Sequence, residues 1–537
     1  MDKVAIVVRR YNKLKGARAN WDAHWKEVAD YVIPKKDDIY TKQRNVGGEK
    51  KGNVKVFDAT AIHANELLAS ALHGMLTNPS VQWFELSMGD EELDGDYDVK
   101  LWLQNTAVQI HQVLNNSNFQ TEIHEVYLDL GSFGTAILRV EEDDELDVVF
   151  NSRPINESYL EESANGLVNG IFREYVLTGR QLLEEFPDAE LSAHEMNQLR
   201  GDLDKEHDIL HAVFKRQDSE IGGDVGPKGM KYASFHILLG MKLLLKESGF
   251  EEFPYITPRW TKISGEIYGR SPAMKALSDI KMTNTMMQTI IRAAQKVTDP
   301  PLQVPDDGMV LPIRTTPGGT NYYRAGTKDR IEPLLTGARP DIGVQLLELI
   351  QKRIRDAFFI DQLQLNDGPQ MTATEVLQRT EEKLRLLGPI LGRQHYELLK
   401  PLVNRVYSIL LRRGKIKPAP EKIQGRSFEV RYSSMIARAQ RSSEAENLNR
   451  IMGILAPIAQ FDPAVVDNVD SDRMLKYVAS IYNVPQVIFR RDEEKKQLRE
   501  QRQQAIQKQQ AEQSALNQTQ AMQQAAGAMN DTKQKSL

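Results

Sequence analysis

Apolar residues recur at three- and four-residue intervals through much of the chain, and the longest such register lies at its middle. In Tyr268-Gly-Arg-Ser-Pro272, Ser271 is placed as an N-cap and Pro272 as the first helical residue, where a missing N–H costs nothing. Ala276, Ile280, Met287, Ile291 and Ala294 then share one face, with Asp279, Lys281, Asn284, Gln288 and Gln295 as polar positions around them. Asp299-Pro-Pro301 closes this helix, because a residue before proline is driven out of helical angles. The predicted rod is about 27 residues, or ~40 Å. A second helix opens at Pro340-Asp341 and runs to about Ile360, with Val344, Leu347, Ile350 or Gln351, and Ile354 along one face. Between the two, Pro301–Arg339 carries five prolines and five glycines, too many breakers for a helix, and predicts small strands and turns. A polar loop, Gln362–Gln370, follows the second rod. A third helix then opens with a capping box, Thr372-Ala-Thr-Glu375.

On the N-terminal side the pattern predicts a helix ending at Pro34, with Trp21, Trp25, Val28 and Val32 on one side. Lys35–Asn53 reads as a charged loop and Ala59–Leu76 as a helix entered through Asp58. A short strand at Trp83–Leu86, helices over Val99–Asn115 and Phe119–Leu130, and a strand at Thr135–Val140 complete a mixed α/β domain. From Val148 to Trp260 the chain is β-rich, with strands at Ile171–Val176, His207–Arg216, Tyr232–Leu239 and Met241–Leu245. Short helices are expected at Gln181–Glu185 and Ala193–Arg200, and a glycine-rich hairpin loop at Ser219–Gly229.

Beyond the third helix, Gly388-Pro389 predicts a kink, before the helix resumes over Leu391–Leu411. A strand at Ser427–Tyr432 is positioned to return to the β-rich region. Helices at Ser443–Ala459 and Asp472–Tyr482 flank Phe461-Asp-Pro463. From Pro485 onward glutamine and alanine dominate. A helix this polar cannot bury a face alone, so this segment is either disordered or bundled with copies of itself.

With 537 residues the chain has room for several domains and a sizeable core. It has no cysteine, which excludes disulfides and thiolate chemistry. The apolar run near the N-terminus is too short for a signal peptide, and no stretch reaches the roughly eighteen apolar residues of a membrane span. Net charge is −5, the wrong overall sign for a protein that grips DNA through Lys and Arg.

Catalytic and metal signatures fail on inspection. Asp94-Gly-Asp-Tyr-Asp98 has Val99 where a calcium loop needs glycine and Asn105 where it needs glutamate, so a solvated acidic loop is expected. His207 and His211 are four apart, but Asp208 replaces the zincin glutamate and the segment alternates as a strand. Gly222–Gly229 lacks the Gly-Lys-Ser/Thr end of a phosphate loop. The acidic run Glu141–Glu145 reads as a solvated loop between two strands. No catalytic residue, metal site or cofactor is expected, and no motor site that would drive DNA movement. That argues against a nuclease or terminase subunit. The module between paired rods argues against a tail adaptor built from long helices.

Four segments, in order, carry a resemblance: Pro254-Tyr-Ile-Thr-Pro-Arg-Trp260, Gly265-Glu-Ile-Tyr-Gly-Arg-Ser271, Asp299-Pro-Pro301 and Met371-Thr-Ala-Thr-Glu-Val376. The chain resembles the portal proteins of tailed bacteriophages, the head-to-tail connectors, and most of all those of short-tailed phages. The resemblance implies an α+β, mostly helical fold assembled as a closed ring of twelve. Its parts would be a wing (1–265), a first stem helix (266–298), a clip (299–338) and a second stem helix (339–361). A channel loop (362–371), a long kinked helix returning to the wing (372–440), a crown (441–490) and a C-terminal barrel helix, fraying after Gly527 (491–537), would follow.

The implied function is a passive conduit for double-stranded DNA during packaging and ejection, at one vertex of the virion and assembled in the host cytoplasm. Implied partners are further copies of itself, major capsid and scaffolding proteins, the terminase large subunit, tail adaptor and nozzle proteins, and internal core proteins. In the channel loop Gln362, Gln364, Asn366 and Gln370 offer neutral amides, and Asp361 and Asp367 repel phosphate. With −5 per chain, about −60 for a ring of twelve, the expectation is weak, sequence-independent DNA contact. In the clip Arg314, Tyr322, Tyr323, Arg324, Lys328 and Arg330 are the candidate terminase or adaptor contacts, tyrosine and arginine being the usual interface hot spots. Closing the ring is the alternative role for the same residues.

Overall fold

A computed structural model describes residues 3–36, 56–217, 226–304, 312–314, 320–322, 326, 331–334, 340–363, 387–432, 448, 450–455, 457–458, 461, 469–481, 484 and 486–534. The fold is α+β and mostly helical. Its described elements begin α1 (Lys3–Val32), α2 (Thr60–Leu76), β1 (Phe84–Ser87), α3 (Glu91–Gly95), α4 (Tyr97–Asn116) and α5 (Phe119–Phe133). A β-rich stretch follows: β2 (Leu138–Asp143), β3 (Asp147–Ser152), β4 (Ser158–Glu162), β5 (Val168–Thr178), α6 (Gly179–Glu185), α7 (Ala193–Gly201), β6 (Glu206–Lys215), β7 (Tyr232–Leu238), β8 (Leu243–Phe250) and β9 (Tyr255–Ile256). The central stretch holds α8 (Pro272–Thr298), β10 (Leu302–Gln303), β11 (Glu332–Pro333), α9 (Pro340–Ala357) and α10 (Ile360–Leu363). The C-terminal stretch holds α11 (Lys400–Arg412), β12 (Glu429–Tyr432), α12 (Ser471–Ile481) and α13 (Asp492–Gln534).

Two compact units divide the chain. Met1–Trp83, Gln109–Lys417 and Tyr432–Ile436 form the first, and Phe84–Val108, Pro418–Arg431 and Ala437–Leu537 the second. In the first unit, β4-β5-β6-β7-β8 make an antiparallel sheet. Alternation sends Phe172, Leu210, Ala212 and Phe235 to one face, where Val7 and Tyr11 of α1 cover them. Tyr175, Ile209 and Leu238 point to the other face, under Leu182, Phe186 and Leu199 of α6 and α7. Both short helices carry the capping boxes that start them, Thr178 with Gln181 and Ser192 with Glu195. A second sheet, β3-β2-β9, lies beside α5, with Phe150 of β3 packed edge-on to Phe119 of α5.

Several boundaries differ from the sequence expectation. β4 was not predicted, β3 was expected only as a second strand of unstated bounds beyond Glu141–Glu145, and β2 starts at Leu138 because Thr135 makes only an isolated bridge to Arg259. The second rod stops at Ala357, since Phe359 takes a left-handed backbone (φ 61°) and breaks the hydrogen-bond ladder. Gly388 and Pro389 lie in helical backbone. The local irregularity comes later, as a π-turn over His395–Leu399 that runs into α11. The capping box Thr372–Glu375 and the segment Met371–Val376 lie outside the described residues.

In the second unit β12 pairs with β1, so this strand does not rejoin the five-stranded sheet. The acidic stretch read as a failed calcium loop is occupied in turns and ion pairs. Asp90 caps α3 through Glu92 N–H, Asp94 accepts from Ser87 Oγ and Met88 N–H, and Asp96 pairs with Lys422 at 2.5 Å. Arg491 pairs with Asp98 at 3.0 Å, and Arg499 with Asp472 at 2.8 Å. α13 is one continuous helix to Gln534, passing Gly527 without the expected fray. Leu498 and Ile506 on it are 38% and 50% exposed, so neither is buried in the described chain.

Candidate channel helices and docking module

Two of the segments that carried the resemblance, Pro254–Trp260 and Gly265–Ser271, meet at the base of α8. Pro272 starts the helix and Ser271 caps it, its Oγ accepting from Met274 N–H and donating to Ser132 O. Gly134 ends α5 in a left-handed conformation (φ 76°), and its carbonyl accepts from Trp260 N–H. Gly269 N–H donates to Thr135 Oγ1. A Cβ on Gly134 would stand 2.5 Å from Gly269 O, and one on Gly269 would stand 2.2 Å from Gly134 O. Only two glycines allow this backbone approach. Tyr268, buried, takes Leu160 N–H on its hydroxyl and presents its ring edge to Trp25.

Arg259 ties the same base to the π-turn. Its side chain is 1% exposed, and Nε and Nη2 donate to the two oxygens of Glu397 at 3.1 and 2.8 Å. Nη1 reaches Glu162 at 3.0 Å. Burial opposes the charge on Arg259, but the Glu397 and Glu162 carboxylates outweigh it and raise the guanidinium pKa. The wider π-turn holds Glu397 where Arg259 N–H also reaches it, and Gln394 Nε2 donates to Arg259 O.

From this base α8 and α9 run antiparallel. Arg353 pairs with Asp279 at 3.0 Å, while Gly343 faces Ile290, so residue numbers climb on one helix as they fall on the other. Beyond the far end of α8, β10 and β11 pair as Leu302 with Pro333 and Gln303 with Glu332, the small strands expected of the insert. Burial on α8 covers Ala273, Met274, Ala276, Leu277, Ile280, Thr283 and Asn284 and then ceases. Ala276 and Ile280 of the predicted stripe are therefore core, whereas Ile291 is exposed. Asn284, one of the polar positions around that stripe, is buried, and its Oδ1 accepts from Phe57 N–H at 2.6 Å.

On α9, Leu347, Ile350 and Ile354 are buried, and Val344 is not. Leu346 and Leu349, half or more exposed, form a second apolar row that the first stripe hid from sequence reasoning. The two helices carry seven Lys and Arg against four Asp and Glu, opposite in sign to the whole chain.

Among the predicted contact residues, Tyr322 is 70% exposed, and Arg314 lies in an exposed turn that Asn321 bridges at both its N–H and carbonyl. Tyr323, Arg324, Lys328 and Arg330 lie outside the described residues. In the predicted channel loop, Asp361 and Gln362 belong to the single turn α10, Asp361 exposed and Gln362 half-buried. Gln364, Asn366, Asp367 and Gln370 lie outside the described residues.

The remaining motifs are structural. Glu142 and Asp144 in the β2–β3 hairpin pair with Arg412 and Arg413 at the end of α11, so this acidic run is neutralised rather than free. His211 is buried, bonded to Tyr255 Oη and Ser234 Oγ at 3.0 Å each, and stacks on His236 with ring centroids 4.0 Å apart. Burial, with His236 and three arginines adding to it, drives the His211 pKa well down. No group of three or more His, Cys, Asp or Glu side chains among the described residues is placed to hold a metal ion. No described helix is long and apolar enough to cross a membrane.

A family model for the bacteriophage head to tail connecting protein matches residues 6–489, and the chain belongs to that family. Among individual relatives, the probable portal protein of Bordetella phage BPP-1 is 31% identical, over 99% of this chain and 97% of that one. The portal protein of Salmonella phage epsilon15 is 28% identical, over 98% and 95%. That of Escherichia phage T7 is 21% identical, over 84% and 82%.

Proposed function

We propose that this chain is the subunit of a portal ring of twelve at one capsid vertex, a passive conduit for double-stranded DNA. The observation that carries this reading is the near end-to-end likeness to phage portal proteins. The α8–α9 pair adds support, since Met282, Val297, Leu346 and Leu349 are exposed apolar positions of the kind a neighbouring copy covers. In this reading α8 and α9 are the stem, residues 299–338 the clip and residues 362–371 the channel loop. Residues 1–265 form the wing, which the segment 372–440 rejoins, 441–490 the crown and 491–537 a barrel helix. Arg314 and Tyr322 are clip contacts for the terminase and later for tail adaptors. Capsid, scaffolding and internal core proteins meet other faces.

The family is structural, and the conduit does no chemistry. DNA contact is weak and sequence-independent, because the chain is net negative while the basic excess on the rods is small. Negative-stain electron microscopy of the purified protein tests the reading. Class averages should show a ring of about twelve subunits around a hole that admits a ~20 Å duplex. Two-fold particles or fibres would sink it.

A further inference from the structure

Outside the channel helices, a cavity of about 610 Å³ opens between the two sheets of the first unit. That volume lies within the range of small-molecule sites. Three guanidinium groups converge on it: Arg139 from β2, Arg153 just after β3, and Arg173 from β5. The strands fix all three. Arg173 stands two residues from Tyr175 on one face of β5, and that ring lies 4.2 Å under its guanidinium. Arg153 N–H donates to Ile137 O, which holds the turn leaving β3 against β2.

The charge is only partly spent inside the protein. Arg173 Nε donates to Glu157 at 2.8 Å, and Arg139 pairs with Glu141. Among the described residues the Arg153 guanidinium makes no hydrogen bond or ion pair, and the Nε atoms of Arg139 and Arg153 are both buried without an acceptor. Tyr175 and Gln181 also line the cavity. Glu184 and Glu185, on the exposed side of α6, line the mouth. Partial burial of a cation beside two others is costly, and its effect is legible. Burial first, then Arg173 and Arg139, lower the Arg153 pKa, and the same arginines help hold the His211–His236 pair neutral.

We infer that this cavity binds a small, multiply charged phosphate, with Arg153, Arg139 and Arg173 as donors to its oxygens and Tyr175 as a fourth. Phosphoryl oxygens suit the planar guanidinium fork, which donates to two of them at once.

Isothermal titration calorimetry of the full chain with sodium pyrophosphate tests the inference, with Arg153→Gln and the rim variant Glu184→Gln/Glu185→Gln as comparisons. One saturable site per chain is expected, weakened about tenfold or more in Arg153→Gln, since a bond to a charged donor is lost. The rim variant should bind a few-fold tighter, because two repelling carboxylates are gone. Urea midpoints of both variants establish that they fold. Absence of saturable heat at about 10 mM pyrophosphate would overturn the proposal, as would a folded Arg153→Gln that binds like the parent. If Arg153→Gln does not fold, the rim variant decides, and unchanged affinity there counts against the site. ATP in place of pyrophosphate then separates a nucleotide pocket, which binds ATP more tightly, from one for inorganic phosphates.

Discussion

The two halves of α8 share one helix and one hydrophobic register, yet they answer to different constraints. Pro272–Asn284 is walled in by α1, α2 and α5, and its inward-facing side chains, down to Thr283 and Asn284, are buried. From Thr285 to Thr298 no residue is buried, and α9 is the described helix that accompanies it. A periodic apolar pattern continues through both halves, because Ile291 and Ala294 keep the spacing of Ala276 and Ile280. Periodicity therefore reports that a face will be covered. It does not report whether the cover comes from the same chain. The proximal half is finished by its own fold, and the distal half is shaped for something else.

If that division is right, substitutions at the base should act on folding. The largest effect is expected for Gly134→Ala. The residue is left-handed, and its new Cβ would lie 2.5 Å from a backbone oxygen that has nowhere to go. Left-handed strain of roughly 1–2 kcal/mol adds to overpacking of about 1–3 kcal/mol. Loss of soluble expression, or a urea midpoint shifted far down, is the expected result. A variant that unfolds like the parent would show that the α5–α8 junction yields easily, and the contrast between the halves would weaken.

Glu397→Gln probes the same base more gently. The carboxylate accepts from Arg259 N–H, Nε and Nη2 and from Arg393 Nη1. An amide of the same shape keeps part of that pattern but leaves the buried guanidinium with Glu162 as its one carboxylate, beside the Gly166 and Ile267 carbonyls. A loss of about 2–3 kcal/mol is expected in equilibrium denaturation. A loss under about 0.5 kcal/mol would mean that the Arg259 network is incidental to holding the base.

Much of the base was legible from sequence where its signals are local. Ser271 and Pro272 announce the start of α8, and Asp299-Pro-Pro301 its end, because caps and breakers act within one turn. The long-range contacts were not legible. Nothing near Gly134 indicates that Gly269, 135 positions later, will press against it, and nothing near Glu397 names Arg259. β3 was legible only as a strand without stated ends, because Asp147 supplies its positive-φ turn (φ 64°) without the glycine that flags a hairpin. Asn284 was legible only as a polar position beside the apolar face. Its burial depends on the Phe57 and Asp58 N–H groups, 227 and 226 positions away. In the candidate site, the α9 stripe Leu347–Ile350–Ile354 was visible, and it drew attention from the neighbouring row that the fold leaves open.

That open row gives the smallest expected effect on folding and the sharpest test of the comparison. Leu346 and Leu349 are 50% and 59% exposed, so Leu346→Asp/Leu349→Asp removes little buried area from the free chain. Surface changes of this kind usually stay within about 0.5 kcal/mol, and the urea midpoint of the dissociated protein should barely move. Assembly should respond differently. A carboxylate carried into a contact between copies must lose its water without a partner, and a closed ring repeats that cost at every contact. Analytical ultracentrifugation should then show monomer where the parent sediments as a large oligomer. A variant that still assembles would place Leu346 and Leu349 outside the contacts between copies, and the distal half of the rods would have to owe its apolar pattern to some other partner.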